Sequence, residues 1–160
     1  MNARLLIFDN NDEVVGKLQA AFHGCAELSA RRLEPSEIAK LPELDALYLT
    51  LPAAERWNPR LLFYESQVLK TQTEDNGWPR YVVAGIAMKP DDPRAGITSE
   101  ELKLTVKAVL DAIESYNRAN QDPIRTVGFW TRDLGMSRMD AHMAGEIIRA
   151  VYEETYPQMS

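Results

Sequence analysis

In this chain of 160 residues, the residues best suited to do chemistry are 131–137. They follow an apolar run that ends at Trp130 and precede a stretch whose apolar residues have helical spacing. At the start of a helix the first N–H groups lack partners and the helix dipole is positive, so anions bind there. Arg132 adds a positive side chain, and a glycine lets the backbone turn sharply. The pattern predicts an anion-binding turn formed by Thr131, Arg132, Gly135, Met136 and Ser137. The alternative is an exposed arginine beside a helix that Ser137 caps.

Few residues belong to the types that catalyse reactions or bind metals. The chain has two histidines, His23 and His142, and one cysteine, Cys25. His142 has no His or Cys partner at metal-ligand spacing, which argues against a zinc site. Ser137 or Cys25 could act as a nucleophile only beside a histidine, and Ser137 fits a helix cap better. The sequence therefore predicts no catalytic residue, no metal and no cofactor, and it favours a protein that is not an enzyme.

Composition excludes several classes of function. The net charge is −6 at pH 7. A general nucleic-acid binder needs a basic face to replace phosphate counterions, so the charge argues against nucleic acid as a partner. No apolar run approaches the ~20 residues that span a bilayer, which argues against a membrane protein. One cysteine forms no internal disulfide and the amino terminus lacks a signal-peptide pattern, so we expect a cytoplasmic protein of one domain, residues 1–160.

Short apolar runs and helical spacings alternate along the chain. Strands are predicted at Arg4–Asp9, within Cys25–Leu33, and at Asp45–Leu51, Tyr81–Met88 and Ile124–Trp130. Helices are predicted from Asn10 or Asn11 to Gly24, from Pro35 to Leu41, from Thr98 to about Asn117, and from a Ser137 cap to Tyr152. Residues 52–79 show no clean period and leave helix and strand both open. The alternation predicts an α/β fold, a three-layer α/β/α arrangement whose mixed sheet is mostly parallel.

The carboxyl ends of the strands add further candidates to the predicted site. Ligands of mostly parallel sheets bind outside those ends. The candidate ligand-binding residues there are Asp9, Asn10, Thr50, Pro52 and Ala53. Together with the turn they would surround a cleft between Thr50 and Thr131.

Three stretches of the chain carry a resemblance to a known family. Residues 45–53 read Asp-Ala-Leu-Tyr-Leu-Thr-Leu-Pro-Ala, and residues 81–117 join an apolar strand, a Pro-rich loop and a long helix. Residues 124–152 join a strand, the turn Gly135-Met136-Ser137 and a closing helix that ends in Ala-Val-Tyr. In this order they resemble the macro domains of the Appr-1-p processing type, above all bacterial and phage versions. The resemblance covers nearly the whole chain and implies a single macro-like domain with an ADP-ribose cleft.

The two ligand loops depart from the pattern of that family. The Asn and the Gly-Gly pair expected after Ala53 are replaced by Ala-Glu-Arg-Trp. In the second loop, Trp130, Arg132 and Asp133 stand where the family has small residues that let a diphosphate approach. The resemblance therefore implies a degenerate ADP-ribose site.

Three functions remain open under this resemblance. The first is a module that binds a nucleotide-like ligand (ADP-ribose or a derivative) or another anion without catalysis, held by Arg132 and the N–H groups of residues 135–137. The second is a structural or protein-interaction subunit, a homo-oligomer or a partner of another protein, with Trp130 filling the cleft and a contact surface near Trp57 and Trp78. The third is an ADP-ribosyl hydrolase, which requires a replacement for the missing asparagine.

Overall fold

A computed structural model describes residues 2–38, 40–50, 54, 57, 65–71, 77–85, 97–136 and 138–157. The strands within these ranges are β1 (Arg4–Asp9), β2 (Leu28–Arg32), β3 (Ala46–Thr50), β4 (Ser66–Lys70), β5 (Tyr81–Gly85) and β6 (Thr126–Trp130). The helices are α1 (Asp12–Ala21), α2 (Pro35–Ile38), α3 (Ser99–Ala119) and α4 (Ala141–Thr155). No helix in these ranges is long and apolar enough to cross a membrane.

The strands form one mixed, mostly parallel sheet in the order β2-β1-β6-β3-β5-β4. All neighbours are parallel except β4, which runs antiparallel to β5 at the edge. The larger hydrophobic core joins one face of the sheet to α1, α3 and α4, and a smaller core joins the other face to α2 and Ala54. The predicted three-layer α/β/α architecture is therefore confirmed.

Helices α1 and α3 begin at capping residues that the sequence predicts, whereas α4 does not. The Asn11 side chain accepts hydrogen bonds from the N–H groups of residues 13 and 14, and Thr98 and Glu101 form the predicted capping box. The prediction that Ser137 caps the last helix is wrong. Asp140 is the cap, because its carboxylate accepts the N–H of Met143 at 2.9 Å, and α4 begins at Ala141. Ser137 itself lies outside the described residues.

The structure differs from the sequence prediction at the start of β6 and at residues 66–70. The last strand begins two residues after Ile124, because the Asn117 side chain binds both the N–H and the carbonyl of Ile124. Residues 66–70, which had no assigned structure, form the edge strand β4. Its side chains are half-buried on both faces, so the alternation that marks a strand is absent from the sequence.

Strand β6 is fixed at both of its ends by aspartates from other strands. At its start, Asp45 Oδ2 accepts the N–H of Arg125 at 2.7 Å and that of Thr126 at 3.2 Å. At its end, the Asp9 carboxylate accepts the hydroxyl of Thr131. These bonds hold the carboxyl ends of β1 and β6 level with each other.

The sheet opens between β6 and β3 before either strand ends. These strands pair only at Ala46 with Val127 and at Leu47 with Gly128. Beyond that point β6 continues beside β1 to Trp130, and β3 continues beside β5 to Thr50. A split therefore lies between the last residues of β3 and β6 on the carboxyl side of the sheet.

Helices α1 and α4 approach each other most closely at Gly145. A Cβ added there would lie 2.6 Å from the Cβ of Ala21 and 3.3 Å from Cδ2 of Leu18. Real Cβ atoms do not come this close, so Gly145 sets the spacing of the two helices.

Gly145→Ala is expected to destabilise the fold by about 1–3 kcal/mol, because the new methyl group forces α4 away from α1. Gly16→Ala is the matched control, since Gly16 lies on the exposed side of α1 with nothing within 4 Å of an added Cβ. That variant should gain about 0.5–1 kcal/mol from the better helix former. Urea unfolding measures both values, and a neutral Gly145→Ala would contradict the close packing.

Candidate functional site

A cavity of about 270 Å³ opens where β1 and β6 end and α1 and α4 begin. Five predicted site residues line it: Asp9, Asn10, Thr131, Arg132 and Met136. Asn11, Val14, Trp130, Met139 and Ala141 complete its wall. The structure therefore brings together the candidates from the first strand and from the turn after the last one.

Two further candidates, Gly135 and Thr50, are described but are not among the residues that line this cavity. Gly135 belongs to the same turn, has a φ of +74°, and faces the side chain of Ile97, which lies 3.0 Å from the place of a Cβ. Thr50 ends β3 on the far side of the split. The predictions for Pro52, Ala53 and Ser137 concern positions outside the described residues.

Two carboxylates beside the helix starts, Asp9 and Asp140, are already engaged. Asp9 accepts the N–H of Asn11 at 2.8 Å in addition to the hydroxyl of Thr131. Asp140 caps α4 and also faces Lys17, with Nζ at 3.6 Å from Oδ1. The backbone bond to Met143, followed by the charge of Lys17, keeps the pKa of Asp140 below its usual value. Neither helix start therefore presents an uncapped N-terminus to the cavity.

The N–H groups of the turn bond mostly within it. Those of Asp133 and Leu134 donate to the Trp130 carbonyl, at 2.9 and 3.4 Å, and that of Gly135 donates to the Arg132 carbonyl at 3.0 Å. Gly135 therefore has no spare N–H for an anion. The exposed Arg132 guanidinium, which forms no ion pair with another described residue, is the positive group at the cavity.

The remaining wall of the cavity is apolar. Trp130 is half-buried and also packs against the smaller core. Met136 is buried and Met139 is half-buried. An indole and two flexible thioethers form a surface that suits a flat ring.

Two polar groups that the sequence did not assign to a site lie on the other side of the turn. Tyr48 is fully buried, its ring lies 5.4 Å from that of Phe129, and its hydroxyl has no hydrogen-bond partner among the described residues. Burial raises the pKa of the phenol, and the charge of Asp133 raises it further. Burial also raises the pKa of Asp133 to about 6, against the opposing effect of Arg132. Tyr48 sits inside an apolar run, so no sequence signal marked it.

A larger groove of about 470 Å³ lies between α3 and α4, near their carboxyl-terminal turns. Lys107 and Arg118 line it together with the acidic residues Asp111, Glu114 and Glu154. It lies away from the carboxyl ends of the strands and contains none of the candidate residues. Charges of both signs surround it, so its electrostatics favour no class of ligand.

A scan against protein-family models finds no match, and no curated protein matches the chain. The described residues contain no cluster of three or more metal-ligating side chains. The geometry of the cavity is therefore the basis for assigning a function.

Tyr48→Phe is expected to stabilise the ligand-free protein by about 1 kcal/mol, because it removes a buried hydroxyl that lacks a partner and keeps the ring on Phe129. Tyr152→Phe is the matched control, since that buried hydroxyl donates to the Ala3 carbonyl at 2.6 Å. Losing it should destabilise the protein by about 1–2 kcal/mol. Urea unfolding compares the two variants, and equal destabilisation would show that the Tyr48 hydroxyl has a partner.

Asp133 is expected to lower the stability of the protein as the pH rises through 6. An unfolded aspartate titrates near 3.8, so between these values the folded chain binds more protons and loses stability with rising pH. With allowance for its partial exposure, the charged form should destabilise the fold on the order of 2 kcal/mol. Melting temperatures of the wild type and of Asp133→Asn between pH 4 and 8 measure this effect. Asp111→Asn, which removes an exposed carboxylate, is the control. A constant difference between wild type and Asp133→Asn would contradict the assignment.

Proposed function

We propose that the protein is a non-catalytic module that binds a small nucleotide-like ligand, with a flat ring and a negatively charged group, in the cavity at the ends of β1 and β6. The cavity itself carries this proposal, because it joins an apolar wall, a polar amide and the Arg132 guanidinium at the edge of the sheet where ligands of parallel sheets bind.

Different residues of the cavity lining suit the ring and the anionic group of such a ligand. The indole of Trp130 and the side chains of Met136 and Met139 would contact the ring. The exposed Asn10 amide offers both donors and an acceptor to the edge of the ring. Arg132 would hold the anionic group, since its guanidinium is positive and binds phosphate through two parallel hydrogen bonds.

The size of the cavity limits the ligand. Pockets for drug-sized ligands measure roughly 300–1,000 Å³, and this one measures about 270 Å³. It therefore suits one ring system with its phosphate near the surface better than a complete dinucleotide. ADP-ribose, which the macro-domain resemblance suggests, would have to place its second half outside this cavity.

Hydrolysis has less support than binding. A hydrolase needs a group that takes a proton from water. Both Asp9 oxygens accept hydrogen bonds, from Asn11 and Thr131, which leaves this carboxylate poorly placed for that role. The engaged carboxylate favours binding without catalysis.

A protein-interaction role is the second candidate. The rings of Trp57 and Trp78 meet edge to face at 5.2 Å, and both side chains are half-buried against the smaller core. Aromatic residues are enriched at protein interfaces, so this partly exposed pair is the observation that favours the role. Light scattering tests this role, which predicts a dimer or larger assembly where the ligand-binding proposal requires none.

Arg132→Ala is expected to weaken the binding of AMP about tenfold and to leave the binding of adenosine unchanged, because it removes only the contact to the phosphate. Arg118→Ala is the matched control, since Arg118 is exposed in the last turn of α3 and does not line the cavity. Isothermal titration calorimetry measures the affinities. Absence of heat with AMP at millimolar concentration would overturn the proposed function, and an equal loss for adenosine would overturn the role of Arg132.

A further inference from the structure

Strand β4 ends the sheet with a row of backbone groups that no described residue pairs with. It bonds to β5 on one side only. The N–H of Thr71 donates to the Arg80 carbonyl at 3.0 Å, and in an antiparallel pair every second residue bonds to the neighbour. The N–H and C=O groups of Ser66, Val68 and Lys70 therefore point away from β5.

The opposite edge of the sheet, β2, is protected in a way that β4 is not. The carbonyl of Ala30 on its outer side accepts the Gln19 side chain at 3.1 Å, and the strand ends in the exposed Arg31 and Arg32. Charged side chains and blocked backbone groups prevent an edge from pairing with another strand. Strand β4 has one charged residue, Lys70 at its last position, so its edge is open to a further strand.

Helix α3 leaves room for a partner beside this edge. A groove of about 480 Å³ lies between the helix and β4. The short side chains of Ala108, Ala112 and Ser115 line it on the helix, at a spacing that places them on one face. Leu104, one turn before Ala108, is 37% exposed. A partner that adds a strand to β4 would therefore also cover an apolar face of α3.

Strand β4 is complementary to a second copy of itself. Identical strands related by a two-fold axis run antiparallel, and bonds between their outward residues place Val68 opposite Val68 and Ser66 opposite Lys70. This register uses every outward N–H and C=O group of the strand. Half-buried Val68 packs against the larger core, so Ser66, Val68 and Lys70 share the face of the sheet that α3 covers.

The charges agree with the same register. Asp111 of α3 lines the groove together with Ser66. A Lys70 placed opposite Ser66 by a second copy would therefore lie next to Asp111. Both side chains are exposed, and neither forms an ion pair with another described residue of its own chain. The two-fold axis repeats this contact, so a dimer would gain two ion pairs.

We propose that the protein forms a symmetric homodimer in which β4 pairs with β4 of a second copy and joins the two sheets into one. Strands β3 and β5 separate β4 from β6, so the dimer leaves the cavity at the ends of β1 and β6 open. The inference is therefore independent of the proposed function.

Sedimentation equilibrium at micromolar concentrations tests the dimer. The wild-type protein should have twice the mass of one chain. Val68→Pro should be monomeric, because proline removes an N–H that points out of the sheet and so leaves the bonds to β5 intact. Val68→Thr is the matched control, since it keeps the N–H and a branched side chain, and it should remain dimeric.

A charge reversal tests the register and does not depend on how well the proline variant folds. Lys70→Glu should weaken the dimer about tenfold, because it places two carboxylates together at both symmetric contacts. Adding Asp111→Lys should restore the affinity. Arg32→Glu is the matched control, since it reverses an exposed charge at the last position of the other edge strand, and it should leave the dimer unchanged.

Two results would overturn the proposal. A monomeric wild-type protein would leave the edge of β4 to an extended segment of another protein. A dimer that Lys70→Glu does not weaken, or that persists in a folded Val68→Pro, would place the interface elsewhere. Neither result affects the binding of AMP, which tests the proposed function separately.

Discussion

Strand β6 lies between β1 and β3, and it stays paired along its whole length only with β1. Asp45 fixes its start and Asp9 fixes its end, so its position beside β1 is fully determined. Its pairing with β3 stops at Gly128, where the side chains of Phe8 and Leu44 lie so close that a Cβ would meet them at 3.0 and 2.9 Å. The early end of this pairing places the turn after β6 between a cavity on one side and a split on the other.

That turn explains why side chains, and not backbone amides, dominate the candidate site. The N–H groups of residues 133–135 bond inside the turn, and Asn11 and Asp140 cap the two helices beside it. These bonded N–H groups are therefore not available to bind a diphosphate. The turn instead offers the Arg132 guanidinium to the cavity.

The sequence predicted the architecture well because its signals were local and strong. Continuous apolar runs marked β1, β3, β5 and β6, and capping residues marked α1 and α3. It missed β4, whose half-buried faces give no alternation, and it chose Ser137 over Asp140 because both residue types cap helices. The cavity was predictable from Asp9 and the turn, since the ends of neighbouring parallel strands meet. The unsatisfied Tyr48 hydroxyl was not, because the residue lies inside an apolar run and its lack of a partner among the described residues depends on the tertiary packing.

The central claim is that the cavity at the ends of β1 and β6 binds a nucleotide-like ligand. Proton–nitrogen NMR spectra of the ¹⁵N-labelled protein during a titration with AMP test it most directly. The account predicts shifts of the Asn10 side-chain amide, the Trp130 indole N–H and the backbone N–H of Met136, all saturating with one affinity. No shifts at millimolar AMP, or shifts confined to the groove near Lys107 and Arg118, would contradict it.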